Sequence, residues 1–320
     1  MVESRRAFAA VVAGIGLVVA GCGGTDFARR TVAPAPVPAE KPSAAPVRVA
    51  LVRNPALQAL LVGSVAHTTA ARTARTSISV TLTGLGEDAL STGAFDIAGT
   101  GGVDFATGDA DLSLSIPRFD RLGGGGTIEQ RIVRGVVYTK MPSDILRVSG
   151  MPASVRWLSF DETHVGGGDP AALSQSQVDP AGQLAFLAAV SVDVRRVGPE
   201  PVRGVAATHY AATIDLGHSA HVADRLSAVR AKLVQLGAMI GARRLGVDVW
   251  VDAAGRARRV VVSVPLSRQT DAAAVAGLGS DAMMRIQADF YAFGVTLRVA
   301  APPQAAVRPY SALRLGATDG

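Results

Sequence analysis

The sequence predicts an α+β fold, in which one long antiparallel β-sheet carries a few helices. Apolar and polar side chains alternate in one segment after another, which is typical of half-buried strands. Three further segments carry helix start signals or helical periodicity. Hydrophobic residues make up 48% of the chain and aromatic residues only 5%, so the core is expected to consist of Val, Leu, Ile and Ala.

The first strands are predicted from apolar side chains that recur at every second residue. In SISVTLTG, Ile78, Val80 and Leu82 alternate with Ser and Thr, and Phe95 to Phe105 and Ala110 to Ile116 repeat the pattern. Turns containing Gly and Asp join the three segments, which indicates an antiparallel meander. RIVRGVVYTKMP and RWLSFD are each interpreted as one more strand, and AATHYAATIDL as the next.

LGVDVWVDAAGRARRVVVSVPL is the clearest hairpin pattern in the chain. Its apolar side chains face one way on both arms, and residues 252–255 form the turn. Trp250 falls on the opposite face together with Asp248 and Asp252, which suggests a polar exterior. IQADFYAFGVTLRVAAPP is expected to close the sheet.

Three helices are predicted. In NPALQALLVGSVAHTTAAR, Asn54 is the predicted N-cap and Pro55 the first helical residue. In DPAGQLAFLAAVS, Asp179 and Pro180 give the same start signal. The segment 220–240 has the strongest periodicity; its apolar stripe is Val222, Leu226, Val229, Leu233, Leu236 and Ile240. A sheet of this length must curl, and helices laid across its concave face would enclose an apolar space.

The N-terminus has the layout of a secretory signal peptide. Arg5 and Arg6 precede an apolar run, Ala7 to Ala20, that is too short to span a bilayer. Val19-Ala20-Gly21-Cys22 resembles a bacterial lipobox, and Cys22 is the only cysteine of the chain, so Cys22 is predicted to be acylated. SRRAF also resembles the start of a twin-arginine signal, which leaves both export routes open.

These observations divide the chain into four parts. Residues 1–21 are the signal peptide, and 22–47 are the acylated cysteine with a Pro-, Ala- and Gly-rich linker. Residues 48–308 form the folded domain, and 309–320 are expected to be a disordered tail. The predicted location is the extracytoplasmic face of the cell membrane, with a lipid anchor.

The net charge of +6 agrees with attraction to an anionic membrane, or with a general bias toward arginine. Nucleic-acid binding is disfavoured by the export signal, and no basic run is interleaved with aromatic residues.

Six fragments in a fixed order carry a family resemblance: RGVVYTKMP, RWLSFD, the DP helix, VRGVAATHYAATIDL, VDVWVDAAGRARR and ADFYAFGVTLRVAAPP. Behind a lipobox, this order resembles the actinobacterial LppX/LprG (LppX_LprAFG) lipoproteins over residues 50 to 308. The resemblance implies a LolA/LolB-like half-barrel with helices across its concave face and an apolar cavity. It also implies that the cavity holds a lipid or acylated glycolipid that is carried within the envelope.

Catalytic interpretations find little support. The sequence contains no GxSxG, HExxH, P-loop or CxxC motif, and Gly123 to Gly126 are not followed by the Lys-Ser/Thr of a phosphate cradle. His218 and His221 are three residues apart near a helix start, a spacing more typical of solvated residues than of a metal site. We therefore expect no enzyme activity, no catalytic residue, no metal and no cofactor.

The favoured function is a lipid-binding carrier, with a monomeric domain and an envelope exporter as candidate partner. The predicted cavity side chains are Val80, Leu82, Leu112, Leu114, Val247, Val249, Val260 and Val262 from strands, with Leu226, Val229 and Leu233 from the lid helix. Two alternatives remain: an interaction module with a filled core, and a sensory lipoprotein that binds a small ligand.

Overall fold

The structure, a computed structural model, describes residues 53–85, 95–115, 127–148, 150–161, 180–216, 244–265 and 278–312. Within these ranges, strands form one 12-stranded sheet in the order β12-β6-β5-β4-β3-β2-β1-β11-β10-β9-β8-β7. All neighbours are antiparallel except β12 and β6. The predicted large, curled and mostly antiparallel sheet with few helices is confirmed, and the sheet is not closed.

The elements have the following bounds. The strands are β1 (Thr73–Leu85), β2 (Phe95–Asp104), β3 (Ala110–Ser115), β4 (Thr127–Val133), β5 (Val136–Lys140), β6 (Trp157–Asp161), β7 (Val190–Pro199), β8 (Ala207–Asp215), β9 (Arg244–Asp252), β10 (Ala257–Pro265), β11 (Leu278–Tyr291) and β12 (Val307–Pro309). The helices are α1 (Pro55–Thr69), α2 (Ser143–Val148) and α3 (Pro180–Ala185).

One face of the sheet carries the main core, because each strand points alternate side chains toward it. On β1, Ala74, Thr76, Ile78 and Val80 are at most 2% exposed, and Arg75, Ser77 and Ser79 between them face the other side. The predicted parities of β1, β2, β3, β8, β9 and β10 all place their apolar side chains on this face. We call it the apolar face, and its opposite the outer face.

Helix α1 forms as the sequence predicts and packs on the apolar face. The backbone N–H of Leu57 donates to the Oδ1 of Asn54 at 3.0 Å, which caps the helix, and Pro55 is the first helical residue. Leu61, which is fully buried, points toward the sheet. The helix contacts β7, β9 and β10, so among the described elements it covers one end of the strand order.

The other helix predictions have mixed outcomes. The DP helix is shorter than predicted: α3 ends at Ala185, residues 186–189 form a 3-10 turn, and β7 begins at Val190. Val190 and Val194 alternate onto the apolar face, and such β-branched residues favour a strand. The segment 220–240 lies outside the described residues. Helix α2 was not predicted.

The interpretation of RIVRGVVYTKMP as one strand is wrong. It contains the end of β4, a turn, and β5. Arg134 and Gly135 have φ angles of 51° and 77°, so both central residues are left-handed, as a tight two-residue hairpin requires. The turn sends the chain back along β4, with Val133 paired to Val136.

The C-terminal region also differs from the prediction. Strand β11 lies in the middle of the sheet, between β1 and β10, while the following residues leave the sheet. Residues 292–306, here called the crossing segment, run over the outer face toward β6. The hydroxyl of Thr73 donates to the carbonyl of Val295 at 2.6 Å, and the Nη1 of Arg131 donates to the carbonyl of Ala300 at 3.1 Å.

The crossing segment ends in β12, which pairs in parallel with β6 at the edge of the sheet. Strand β12 reaches Pro309 and residues 310–312 form a 3-10 turn, so the structure describes four residues beyond the predicted domain boundary at 308. Tyr310 in this turn packs against the core. The remaining tail, 313–320, lies outside the described residues.

Candidate functional site

The structure places all eight predicted strand residues on the apolar face. Their side chains are well covered, with exposed fractions from 0% at Val249 and Val260 to 9% at Leu82. All eight belong to one continuous apolar cluster. Residues from four separate strands, β1, β3, β9 and β10, are thus brought onto one surface.

The side chains from neighbouring strands are in register. Val247 pairs with Val262, Val262 with Ile286, Ile286 with Val80, and Val80 with Ile97. Paired side chains on one face lie close enough to contact each other. They form an uninterrupted apolar row across β9, β10, β11, β1 and β2.

Glycines let two leucines extend this row onto β3. Gly99 pairs with Leu114 and Gly101 with Leu112. A Cβ at Gly99 would lie 2.5 Å from Leu114 Cδ2, and a Cβ at Gly101 would lie 2.9 Å from Leu112 Cδ2. The side chains of both leucines therefore occupy the space beside β2 that a side chain at position 99 or 101 would otherwise fill.

One polar side chain on the apolar face was missed by the sequence reasoning. Gln130, 2% exposed, lies on β4 and pairs with Leu112 of β3. It alternates along β4 with Ile128 and Ile132, and this alternation is the sequence signal that could have placed it on the apolar face. The buried amide of Gln130 places a hydrogen-bonding group among the apolar side chains of this surface.

Helix α1 is attached to the sheet at both of its ends. The Nε2 of Gln58 donates to the carbonyl of Val190 on β7 at 2.8 Å. The hydroxyl of Thr68 accepts a hydrogen bond of 2.9 Å from the backbone N–H of Ala257 on β10 and donates to the carbonyl of Ser64 at 2.7 Å. These contacts fix how the helix lies over β7 to β10.

Several predicted site residues lie outside the described ranges. They are Cys22, the lid residues Leu226, Val229 and Leu233, and the glycine run 123–126. His218 and His221 are also outside. Within the described ranges, no group of three or more His, Cys, Asp or Glu residues could hold a metal ion. No helix there has the length and apolar character needed to cross a membrane.

The structure has a pocket of about 540 Å³ on the outer face, where the sequence predicted no site. Arg75 and Tyr291 line it from the middle of the sheet, and Asp111, Glu129 and Arg131 line it from β3 and β4. Arg131 also holds the crossing segment through Ala300. Charged and apolar groups thus line the pocket together, unlike the predicted apolar site.

The outer face beside this pocket carries a buried ion pair. The Nε and Nη2 of Arg259 donate to the two carboxylate oxygens of Asp289 at 2.7 and 2.8 Å. The guanidinium of Arg203 lies 3.8 Å from the same carboxylate and stacks over the ring of Tyr291 at 4.1 Å. Because Asp289 is buried, these positive charges stabilise a carboxylate that water does not reach.

Trp250 is not on an exposed polar surface, in contrast to the sequence-based expectation. It is 1% exposed and packs with Val202, Ala207 and Val261 in a second, small cluster. Val202 lies in the connection between β7 and β8, which folds over the outer face. This connection covers the indole, which the strand pattern of β9 alone does not show.

His209 of β8 is fixed beside Trp250. Its ring stacks on the indole at 4.1 Å, its Nδ1 lies 3.2 Å from Glu200 Oε2, and its Nε2 lies 2.8 Å from Asp248 Oδ1. The arrangement ties the β7–β8 connection to β9 and serves the fold.

Asp252 holds the turn between β9 and β10. Burial raises its pKa, but hydrogen bonds from the backbone N–H of Arg256 and the Nε of Arg258, together with both positive charges, lower it more. The pKa of Asp252 is therefore below its ordinary value. Its carboxylate also accepts the backbone N–H of Ala254 at 2.9 Å.

Comparison of the sequence with known proteins gives one curated relative. No family model matches the chain. The chain is 32% identical over 173 residues to an uncharacterized 31.2 kDa protein from the rplA–rplJ intergenic region of Streptomyces griseus. The match covers 52% of this chain and 51% of the relative, so the chain spans about half the length of the curated relative that it matches.

Similar solved structures include two mycobacterial lipoproteins. LppX of Mycobacterium tuberculosis has a TM-score of 0.40 and 16% identity, with 75% of this chain and 98% of that one covered. LprF of Mycobacterium bovis has a TM-score of 0.37 and 15% identity, with 79% and 99% covered. A DUF1329 family protein of Desulfovibrio piger has a TM-score of 0.27 and 10% identity, with 76% and 95% covered. The family that the sequence motifs resemble is thus represented among the similar structures.

Proposed function

We propose that this protein is a membrane-anchored lipoprotein that binds a lipid or acylated glycolipid between the apolar face and its cover, and carries it within the cell envelope. The observation that supports this most is the uninterrupted apolar row from Val247 on β9 to Ile97 on β2. A row of apolar side chains that crosses strands is a surface on which an extended acyl chain can lie. The order of motifs that resembles the LppX/LprG lipoproteins points the same way.

Binding would be driven by the hydrophobic effect. Each methylene moved from water to an apolar surface contributes about 0.8 kcal/mol, so long chains supply a large driving force without a cofactor. The eight predicted residues are at most 9% exposed, so the acyl chain would enter by displacing part of their cover. Gln130 would then lie within the site and orient a polar group of the ligand.

The predicted acylation of Cys22 would hold the domain at the extracytoplasmic face of the membrane. We expect the intact mass of the parent protein to include acyl chains on Cys22, and that of a Cys22→Ser variant to lack them. An intact mass of the parent protein without acyl chains would contradict the lipobox. The domain is proposed to act as a monomer that passes its lipid to an exporter of the envelope.

The function is tested by measuring mass under native conditions. Every described contact lies within residues 53–312, so a chain from residue 22 with Cys22→Ser contains the whole described fold. We expect a co-purified lipid in a one-to-one ratio, which extraction would identify. A protein that carries no co-purified lipid and also binds no added phospholipid would refute the carrier function.

A pair of variants on β1 tests whether the apolar face is the site. Leu82 lies on the apolar face and Thr81, its neighbour, on the outer face. Leu82→Trp adds volume where the chain would bind and should lower lipid occupancy, whereas Thr81→Trp should leave it unchanged. Equal lipid occupancy in both folded variants would show that lipid does not bind on the apolar face at Leu82.

A filled-core interaction or sensory lipoprotein is the second candidate. The near-complete cover of the eight side chains favours it, because a closed core needs no ligand. The same native-mass experiment separates the two: a lipid-free protein that keeps its thermal stability after exhaustive delipidation would support this candidate.

A further inference from the structure

Helix α1 has an exposed side that is apolar. At 100° per residue, its exposed residues fall within one arc of roughly 160°. They are Pro55, Ala56, Ala59, Leu60, Val62, Ala66 and His67. Leu60 is 40% exposed and Val62 37%. The other side of the helix packs on the sheet through Leu61, Ser64 and Thr68.

This surface differs from the exposed side of an ordinary helix. A helix on a soluble domain places charged residues toward water, yet α1 contains no Asp, Glu, Lys or Arg. Exposed apolar surface of this kind marks a contact with a partner or a membrane. The helix is not free to turn this side inward, because Gln58 and Thr68 fix it to β7 and β10.

The charged residues that flank α1 in the sequence are positive, although the backbone of Arg53 forms a bridge with that of Asp193 on β7. Arg53 precedes the helix, Arg72 follows it, and both are exposed. From Lys41 to Gly86 the sequence has five basic residues and no acidic one. An apolar strip with arginines at both ends complements a surface that is apolar inside and anionic at its boundary, which describes a bilayer that contains anionic lipids.

We propose that α1 is a membrane-docking element, which lays its exposed side on the anionic bilayer while Arg53 and Arg72 contact lipid phosphates. This surface is distinct from the predicted acyl anchor at Cys22. It rests on the proposed function in one respect: docking would bring the edge of the apolar face formed by β7 to the lipids that the protein is proposed to bind.

The chain with Cys22→Ser, starting at residue 22, is the protein to test, since it lacks the acyl anchor. It is mixed with vesicles of phosphatidylcholine alone or with about a third phosphatidylglycerol, and bound protein is measured by flotation. We expect binding to the anionic vesicles only. Each arginine near such a surface contributes about a fivefold factor in affinity, so Arg53→Gln with Arg72→Gln should weaken binding about 25-fold.

Matched variants locate the contact. Leu60→Asp with Val62→Asp should reduce binding about tenfold or more, because it places charge on the docking side. Val205→Asp with Ala301→Asp is the control, because both residues are exposed and lie away from α1, in the β7–β8 connection and in the crossing segment. Equal binding by the two double variants, or no binding by the parent chain, would overturn the proposal.

A fluorescence measurement tests the same contact without changing the charge of α1. Without Cys22 the chain has no cysteine, so Leu60→Cys or Val205→Cys can carry an environment-sensitive dye at a single place. Anionic vesicles should shift the emission to the blue at residue 60 and leave residue 205 unchanged. An unchanged spectrum at residue 60 refutes docking through α1. Lipid occupancy is measured separately by native mass, so failure of docking and failure of the carrier function are distinguishable.

Discussion

The side-chain hydroxyl of Thr68 accepts a hydrogen bond of 2.9 Å from the backbone N–H of Ala257, which lies 189 residues further along the chain. Both residues are fully buried. This single contact fixes the end of α1 against the start of β10. It satisfies a strand N–H at the β9–β10 turn that water cannot reach.

Thr68→Val should destabilise the domain, because it leaves the amide of Ala257 buried without an acceptor. The expected loss is about 1–3 kcal/mol in the free energy of unfolding, measured by urea titration. Thr69→Val is the control. Its hydroxyl donates only within the helix, to Val65 and Ala66, so this variant should lie within about 0.5 kcal/mol of the parent. Equal losses would show that the contact with Ala257 contributes nothing.

Two Gly→Ala substitutions should change stability in opposite directions. A Cβ at Gly101 would lie 1.8 Å from the carbonyl oxygen of Asp111, and the backbone of β3 cannot give way without breaking the ladder. Gly101→Ala should therefore cost about 3 kcal/mol or more. A Cβ at Gly63 in α1 would meet nothing within 4 Å, so Gly63→Ala should stabilise the domain by about 0.5–1 kcal/mol. Thermal melts of both proteins give the signs directly, and a tolerated Gly101→Ala would contradict the close approach of β2 and β3.

Removing Asp289 should be far more costly than removing an exposed carboxylate. Asp289→Ala would leave the guanidinium of Arg259, whose side chain is 10% exposed, without its two-pronged partner, for an expected loss of about 3–5 kcal/mol. Glu129 pairs with Lys140 at a site where both side chains are more than 40% exposed, so Glu129→Ala should cost less than about 1 kcal/mol. Unfolding of both variants is measured in urea, because guanidinium chloride would screen the charges.

The lowered pKa of Asp252 predicts how stability depends on pH. A carboxyl whose pKa is lower in the folded state stabilises the fold above its unfolded pKa, near 3.8. This contribution is lost as the pH falls through the lower, folded-state pKa. Asp252→Asn should therefore be less stable than the parent at pH 6, and the two should converge in strong acid. A difference that stays constant from pH 6 down to pH 2 would argue against a role for the charge.

The sequence predicted those parts of the fold whose signals are local. Asn54 and Pro55 located the start of α1 because capping needs only neighbouring residues. The hairpin of β9 and β10 followed from two alternating arms and a turn. The face of each predicted strand was also correct, because parity is a property of consecutive residues.

The errors concern signals that are weak or depend on distant residues. The Arg134-Gly135 turn was missed because arginine seldom adopts a positive φ, whereas Asn-Gly would have been recognised. Nothing in the strand pattern around Trp250 shows that Val202 covers it. The crossing segment has apolar residues at alternating places, as in a strand, but it packs them on the outer face of the sheet.

For the candidate site, the sequence correctly grouped eight side chains on one surface but could not give their neighbours. The contribution of Gly99 and Gly101 depends on pairing with β3, and the place of Gln130 depends on its register with Leu112. Such pairings arise only when strands assemble.

The position of β11 has a consequence for how the chain folds. Strand β1 is flanked by β2 and by β11, and Arg75 pairs with Tyr291 across more than two hundred residues of sequence. Contacts between such distant residues make folding slow, because a long loop must close before they form. Until the ribosome has released Tyr291, the start of the domain has an open sheet edge, the kind of surface that aggregates or binds chaperones. The sheet is therefore completed late, and a chain that is exported unfolded would meet β11 only after crossing the membrane.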